Sequence, residues 1–224
     1  MFKKKRILAI IPARKNSKRI KNKNLLKIKN KSLVEISLLE TIKSKYIDKI
    51  IISSDSIKIN KIASKYNCLP IKIRSKELSS DSSKSIDLVK FHYSSYKEFD
   101  YIILLQPTSP FRKFKHINES IKLIVNSEFK SLISVEKIGY PKSWIHDSNN
   151  FQNFTKLNSL IDKKKYYKPN GAIYIINTNY IEKSSGLYFR DSYYYEMDTI
   201  SSIDIDNKSD YIVAKNLENF LDIW

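Results

Sequence analysis

Two aspartates one residue apart, Asp204 and Asp206 in the stretch SIDIDNKSD, form the acidic pair with the clearest chemistry in this chain. If Ser202–Asp206 is extended, a period of two places both carboxylates on one side. Two such groups repel and need a cation. A hard divalent ion with oxygen ligands, Mg2+, is the natural partner beside phosphates. The plainer use is a helix cap, because Asp206, Ser209 and Asp210 also stand where a last helix begins.

Far upstream, Ile11–Asn24 reads IPARKNSKRIKNKN. It presents Arg14, Lys18, Arg19, Lys21 and Lys23, with the small polar Asn16 and Ser17 between them. Backbone N–H groups and several cations in one loop suit a polyphosphate. The segment contains no glycine, so it is neither a Walker A loop nor a GxGxxG turn. Asn16 is the residue expected to adopt a positive φ there. A third segment, LLQPTSPFR (Leu104–Arg112), has two prolines that stiffen a turn around Thr108 and Ser109. Gln106, Thr108 and Ser109 then offer neutral hydrogen-bonding groups that suit a sugar or a base edge. Arg74–Ser85 is a polar loop, and Asn170-Gly171 is a turn signal leading into a strand. Each segment alone also reads as ordinary surface loop or turn.

The elements that position these segments follow from the apolar pattern. Continuous runs at Arg6–Ile11, Lys49–Ser53, Leu69–Ile73, Tyr101–Leu105, Ser131–Val135 and Ala172–Ile176 predict buried strands. Helical spacing predicts helices over Leu33–Ile42, from Asp55 or Ser56 to about Tyr66, over Ser85–Tyr96 and over Lys115–Val125. A tail from Asp210 is expected to dock through Val213, Leu217, Phe220, Leu221 and Trp224. Strands alternating with helices imply a mostly parallel α/β sheet, whose ligands sit at the carboxyl ends of its strands. The pattern breaks at Gly139–Pro169, an aromatic, Asn- and Lys-rich insertion.

A length of 224 residues suits a single domain, here 1–224 with an insert at 139–169. The single cysteine, Cys68, rules out an internal disulfide framework, and His92, His116 and His146 lie too far apart in sequence for a Cys/His zinc site. No apolar run nears the roughly 18 residues of a membrane span. The start, MFKKKRILAII, imitates a signal peptide but meets Pro12, Arg14 and Lys15 too soon. A cytoplasmic protein with no membrane partner is expected. The net charge of +18 comes mainly from scattered lysines, and small phosphorylated substrates satisfy that field as well as RNA does. The chain lacks the aromatic pattern of an RRM and a KH-like GXXG loop, so no nucleic-acid partner is expected.

Taken in order, IPARKNSK, LLQPTSPFR, NGAIY and SIDID resemble the acylneuraminate cytidylyltransferases, the CMP-sialic acid synthetases. The resemblance spans nearly the whole chain. It implies a Rossmann-like three-layer α/β/α fold with a small dimerisation arm at 139–169, hence a homodimer. It also implies transfer of CMP from CTP to a nine-carbon acidic sugar of the sialic or legionaminic type, with Mg2+. Carried over by position, Lys23, Arg14, Asp204 and Asp206 are catalytic, the two aspartates being the metal ligands. Arg14, Asn16, Ser17, Lys18, Asn24, Arg74 and Ser85 bind the nucleotide, while Gln106, Thr108, Ser109, Lys168 and Asn170 meet the sugar. The chain departs from the family at Leu160 and Ile161, where an Arg-Gln pair is usual. Lys163, Lys164, Lys165 or Lys168 could answer the sugar carboxylate there as point charges. The rival readings are a related nucleotidyltransferase acting on a different sugar, a metal-dependent glycosyltransferase, for which Asp204-x-Asp206 would be its DxD, and an RNA-binding module.

Overall fold

The computed structural model describes residues 2–75, 77–80, 83–139 and 166–221. Six strands are β1 (Ile7–Pro12), β4 (Lys49–Ser53), β5 (Tyr101–Leu105), β6 (Ser131–Ile138), β7 (Tyr166–Asn177) and β8 (Tyr193–Met197), most of them built on apolar runs. They assemble into one sheet in the order β4-β1-β5-β7-β6-β8. A separate small hairpin joins β2 (Lys27–Ile28) to β3 (Lys31–Ser32). The helices are α1 (Leu33–Ile42), α2 (Ile57–Lys65), α3 (Ser85–Tyr93), α4 (Phe114–Val125) and α5 (Lys208–Asn216).

The sheet is mostly parallel. β1 pairs in parallel with β4 and β5, and β6 with β8, while β7 runs antiparallel to both β5 and β6. This reversal lays the first half of β7 against the carboxyl ends of its neighbours, with Ile173 opposite Leu105 and Pro169 opposite Val135. Both faces of the sheet are covered. Val34 and Leu38 of α1, Ile59 and Ala63 of α2, and Ile117, Ile121 and Ile124 of α4 pack on one face. Ile86 and Val89 of α3 pack on the other. This is the three-layer arrangement that the family resemblance implied. It explains why Ile7–Ile11 is apolar without a break: every one of those side chains is fully buried. Burial of each isoleucine contributes about 1.5–3 kcal/mol. α1 begins where expected because Ser32 and Glu35 close a capping box around its first turn.

Four expectations are corrected. Leu69–Ile73 is not a strand: Cys68 accepts one hydrogen bond from Ile52, Pro70 has no N–H to give, and the Ile71 N–H goes to the Tyr96 hydroxyl. Ile71 is 70% exposed, so its apolar character marks no buried face. β8 is an additional edge strand; its period-two signal, Tyr193, Tyr195 and Met197 inward with Tyr194 and Glu196 outward, lies within a polar, tyrosine-rich stretch. Ser202–Asp206 is irregular loop. Finally, α5 docks through Tyr211, Ala214 and Leu217, whereas Val213 is half exposed. The side chains of Phe220 and Leu221, and the whole of Trp224, lie outside the described residues. So does 140–165, and with it most of the expected arm, including Leu160, Ile161 and Lys163–Lys165. On either side of it, β6 and β7 stay paired out to Ile138 and Tyr166. Among the described residues, no helix is long and apolar enough to cross a membrane.

Candidate active site

The early basic loop leaves β1 and is pinned at several points. The Ala13 N–H donates to the Ser53 carbonyl (2.9 Å), tying β1 to the end of β4. The Lys15 N–H donates to the Asp55 carboxylate (2.6 Å), and Asn24 Nδ2 donates back to the Arg14 carbonyl (2.9 Å). The loop then closes in a single 3-10 turn, Lys23–Leu25. The residue that takes positive φ is Asn22 (φ 55°), at the entry of that turn, and not Asn16. Asn is suited to either place; the turn decides which one uses it.

Across the crevice, the Arg74 guanidinium donates to the Leu78 carbonyl through Nε (3.2 Å) and Nη2 (2.6 Å). Arg14 reaches the carbonyls of Ser79 and Ser80 at 3.4 and 3.3 Å. Between these walls lies a cavity of about 390 Å3 lined by Arg14, Ser17, Lys18, Arg19, Lys23, Asn24, Arg74 and Ser85, with Gln106, Thr108 and Asp206 along its far side. Six of the seven predicted nucleotide residues therefore meet in one place. Asn16 is set aside from it, in an adjoining hollow with Lys15 and Asp55.

The late acidic couple closes the crevice. Asp206 accepts from Lys23 Nζ at 3.1 Å on one oxygen and pairs with Arg19 at 3.0 Å on the other. Residues 183 positions apart thus touch. Burial pushes the Asp206 carboxyl up, but Lys23 and Arg19 outweigh it and hold the group below the usual carboxylate range. Burial dominates at Asp204 and pushes it up, against a hydrogen bond from Thr108 and the charge of Lys23. One Asp204 oxygen, Oδ1, is buried with no hydrogen-bond partner.

Asp206 faces this cavity, and Asp204 a neighbouring one, for a reason other than strand alternation. Ile205, between them, is fully buried in a small apolar cluster with Ile28, Leu33 and Phe111, and its N–H donates to the Thr108 carbonyl (2.8 Å). With Ile205 turned inward, its neighbours turn outward. Helix capping falls to Asn207, which accepts from the N–H groups of Ser209 and Asp210. Asp210 completes the box by accepting from Asn207 and also from Asp206. Neither Asp204 nor Asp206 is consumed by that duty.

A second cavity, of about 710 Å3, lies on the β7 side. It shares Arg19, Gln106 and Asp206 with the first and adds Asp204, Lys168, Asn170, Gly171 and Tyr174. Of the predicted sugar residues, Gln106, Lys168 and Asn170 line it. Thr108 lines the first cavity, and Ser109 lines neither, being 1% exposed. Asn170 is fully engaged within the protein: its oxygen accepts from Ser134 Oγ (2.6 Å) and the Ala172 N–H (3.1 Å), and its Nδ2 donates to Ser202 Oγ (2.9 Å). It therefore latches the loop that carries Asp204 and acts by positioning. The Asn-Gly pair is a bulge inside β7, not a turn before it, and the β6 register shifts there between Ile133 and Val135. Gly171 has φ +79°, and a Cβ on it would sit 3.3 Å from Gln106 Oε1 and 3.6 Å from Asp204 Oδ2.

Arg112 carries no role in the sequence reading, yet it organises this region. Fully buried, it donates to the carbonyls of Gln106 (2.8 Å) and Ala172 (2.9 Å) and to Ser37 Oγ. Burial drags its pKa down to about 9, so it stays protonated at neutral pH. Its signal, an arginine closing a Pro-rich turn, gives no hint of burial.

A family model described as Cytidylyltransferase matches residues 8–222. The chain belongs to the cytidylyltransferase family. It is 33% identical over 221 residues to the N-acylneuraminate cytidylyltransferase of Escherichia coli, covering 95% of this chain but 52% of that protein. It is also 33% identical over 223 residues to the CMP-N,N'-diacetyllegionaminic acid synthase of Legionella pneumophila, covering 95% of this chain and 96% of that one. The chain thus spans about half the length of the first relative and nearly all of the second. Among solved structures, a CMP:2-keto-3-deoxy-manno-octonic acid synthetase complexed with CTP superposes with a TM-score of 0.71 at 14% identity, covering 96% of this chain and 99% of that one. At that identity the likeness establishes the shared fold of this cytidylyltransferase and nothing finer.

Proposed function

We propose that this cytidylyltransferase moves CMP from CTP to the anomeric hydroxyl of a nine-carbon acidic sugar of the sialic or legionaminic type, releasing pyrophosphate. The observation that carries the reading is the Lys23–Asp206 contact, at which a cation-lined cavity adjoins a second, larger one with room for another substrate. The relatives' names supply the sugar class. Family membership weighs against the glycosyltransferase and RNA-binding alternatives.

The sugar hydroxyl attacks the α-phosphorus, a new O–P bond forms, the bond to pyrophosphate breaks, and the hydroxyl proton leaves to solvent. Arg14, Lys18 and Arg74 hold the phosphates, and Lys23 meets charge growing on the transferred phosphoryl. Gln106 lines both cavities, which supports a place for it between the two substrates. The donors fit Mg2+: Asp204 offers a buried oxygen with no partner, Asp206 a carboxylate beside it, and Mg2+ is commonly held by one or two carboxylates with waters and phosphate oxygens. When bound, the ion would polarise the phosphoryl oxygen and acidify the attacking hydroxyl.

The segment 140–165 is read as the arm of a homodimer, supported by the β6–β7 ladder that stays paired out to Ile138 and Tyr166, on either side of it. A cytoplasmic location completes the proposal. The test is pyrophosphate release with CTP against sialic, legionaminic, pseudaminic and deoxy-octulosonic acids, with and without Mg2+. Turnover is expected with the first or second acid and to vanish with chelator. Turnover of none of them, or transfer from a CMP-sugar to an acceptor, would overturn the reading.

A further inference from the structure

The larger cavity poses a charge problem for an acidic ligand. Among the described residues that line it are four carboxylates, Glu136, Asp204, Asp206 and Asp210, and two cations, Arg19 and Lys168. A carboxylate entering this space meets a lining that is negative even where Asp204 and Asp206 hold an ion, and among the described residues Arg19 and Lys168 are the cations there that can receive it. Lys168 is poorly placed to do so. Its Nζ lies 3.0 Å from Glu136 Oε2, and the Glu136 side chain is mostly buried, so drawing Lys168 away strands a shielded negative charge.

Arg19 is in the opposite situation. Its side chain is 67% exposed and pairs with Asp206 Oδ2 at 3.0 Å. If it lets go, Asp206 keeps Lys23 on its other oxygen, and Lys23 is the more buried partner. Exposed ion pairs exchange at little cost. Arg19 also lines both cavities, so its planar fork stands at their junction. A guanidinium offers a carboxylate two parallel N–H donors, which an ammonium cannot.

We propose that Arg19 is a specificity-determining residue that turns from Asp206 to receive the carboxylate of the acidic sugar. The inference rests on the function proposed above. Its test compares the wild type, Arg19→Gln, Arg19→Lys and Lys168→Gln, using pyrophosphate release with CTP and either the acid that the wild type turns over or that acid's C1 carboxamide. Loss of a charged hydrogen-bonded pair is expected to raise the KM for the acid by roughly 10-fold or more in Arg19→Gln and to collapse the preference for acid over amide. Arg19→Lys should fall between, Lys168→Gln should keep the preference, and the KM for CTP should hold within about twofold across the set. Equal increases in KM for CTP and sugar would assign Arg19 to the triphosphate and overturn the proposal. Collapse of the preference in Lys168→Gln instead would do the same. If the wild type turns over no acidic sugar, the functional reading falls and this inference with it; if it does and Arg19→Gln keeps the preference, only the inference falls.

Discussion

The two cavities meet along one ridge yet differ in charge. Among the described residues, the first is lined by five cations, Arg14, Lys18, Arg19, Lys23 and Arg74, and one carboxylate. Among those residues, the second has four carboxylates and two cations. A net charge of +18 spread over the sequence gives no warning of this division. The lesson is that overall charge speaks to solubility and long-range attraction, while the local sign speaks to the ligand. The cationic side suits a triphosphate. The acidic side suits a hydroxyl-rich substrate and an ion, and among the described residues Arg19 is the cation it shares with the first cavity.

The largest effects should come from breaking that ridge. Asp204→Ala and Lys23→Ala are each expected to lower kcat by about 10²–10³, the range for losing one preorganised electrostatic group, measured by pyrophosphate release at saturating CTP and sugar. Full activity in Asp204→Ala across a Mg2+ titration would remove the acidic cavity's role in catalysis.

A pH experiment sharpens the cationic side. His92 is buried with Nε2 2.7 Å from Ser53 Oγ, and burial, then the nearby charge of Arg74, lower its pKa to about 4. The folded state holds this ring neutral while the unfolded chain protonates near 6.5. Its contribution to stability is therefore complete above pH 6.5 and is lost as pH falls toward 4. The loss is about 3 kcal/mol over that window, read as a falling midpoint in denaturant titrations. His92→Gln should flatten most of that slope; His116, also lowered by burial, supplies a remainder.

Smaller effects are expected on the acidic side. Gly171→Ala places a side chain at φ +79° against Gln106 and Asp204, costing about 1–3 kcal/mol in urea unfolding and lowering activity as those two groups shift. Lys168→Ala falls in the same range, because it leaves the mostly buried Glu136 carboxylate without its cation, and should cost about 1–3 kcal/mol in urea unfolding.

Much of the fold is legible in the sequence because apolar runs report burial directly. Ile7–Ile11, Lys49–Ser53 and Tyr101–Leu105 could only be covered strands, and their polar sequels had to lie at one edge of the sheet. The same rule misleads at Leu69–Ile73, where isoleucine is part of a compositional drift and not of a core. The site is legible through ordered motifs, which name residues but not their tasks. Asn170 and Ser109 belong to those motifs, yet one latches a loop and the other is buried. Arg112, Gly171 and Asn207 escape such a reading because their importance depends on what approaches them in space: a pair of carbonyls, a carboxylate, a helix end.

Ile205 carries one further implication. Its side chain is lodged in the same small cluster as Ala214 of the last helix, remote in character from the main sheet core. The acids on either side of it are thus fastened to the least extensive part of the hydrophobic interior. Partial loosening of the C-terminal region should silence turnover while the central strands still resist hydrogen exchange, so loss of function precedes loss of fold.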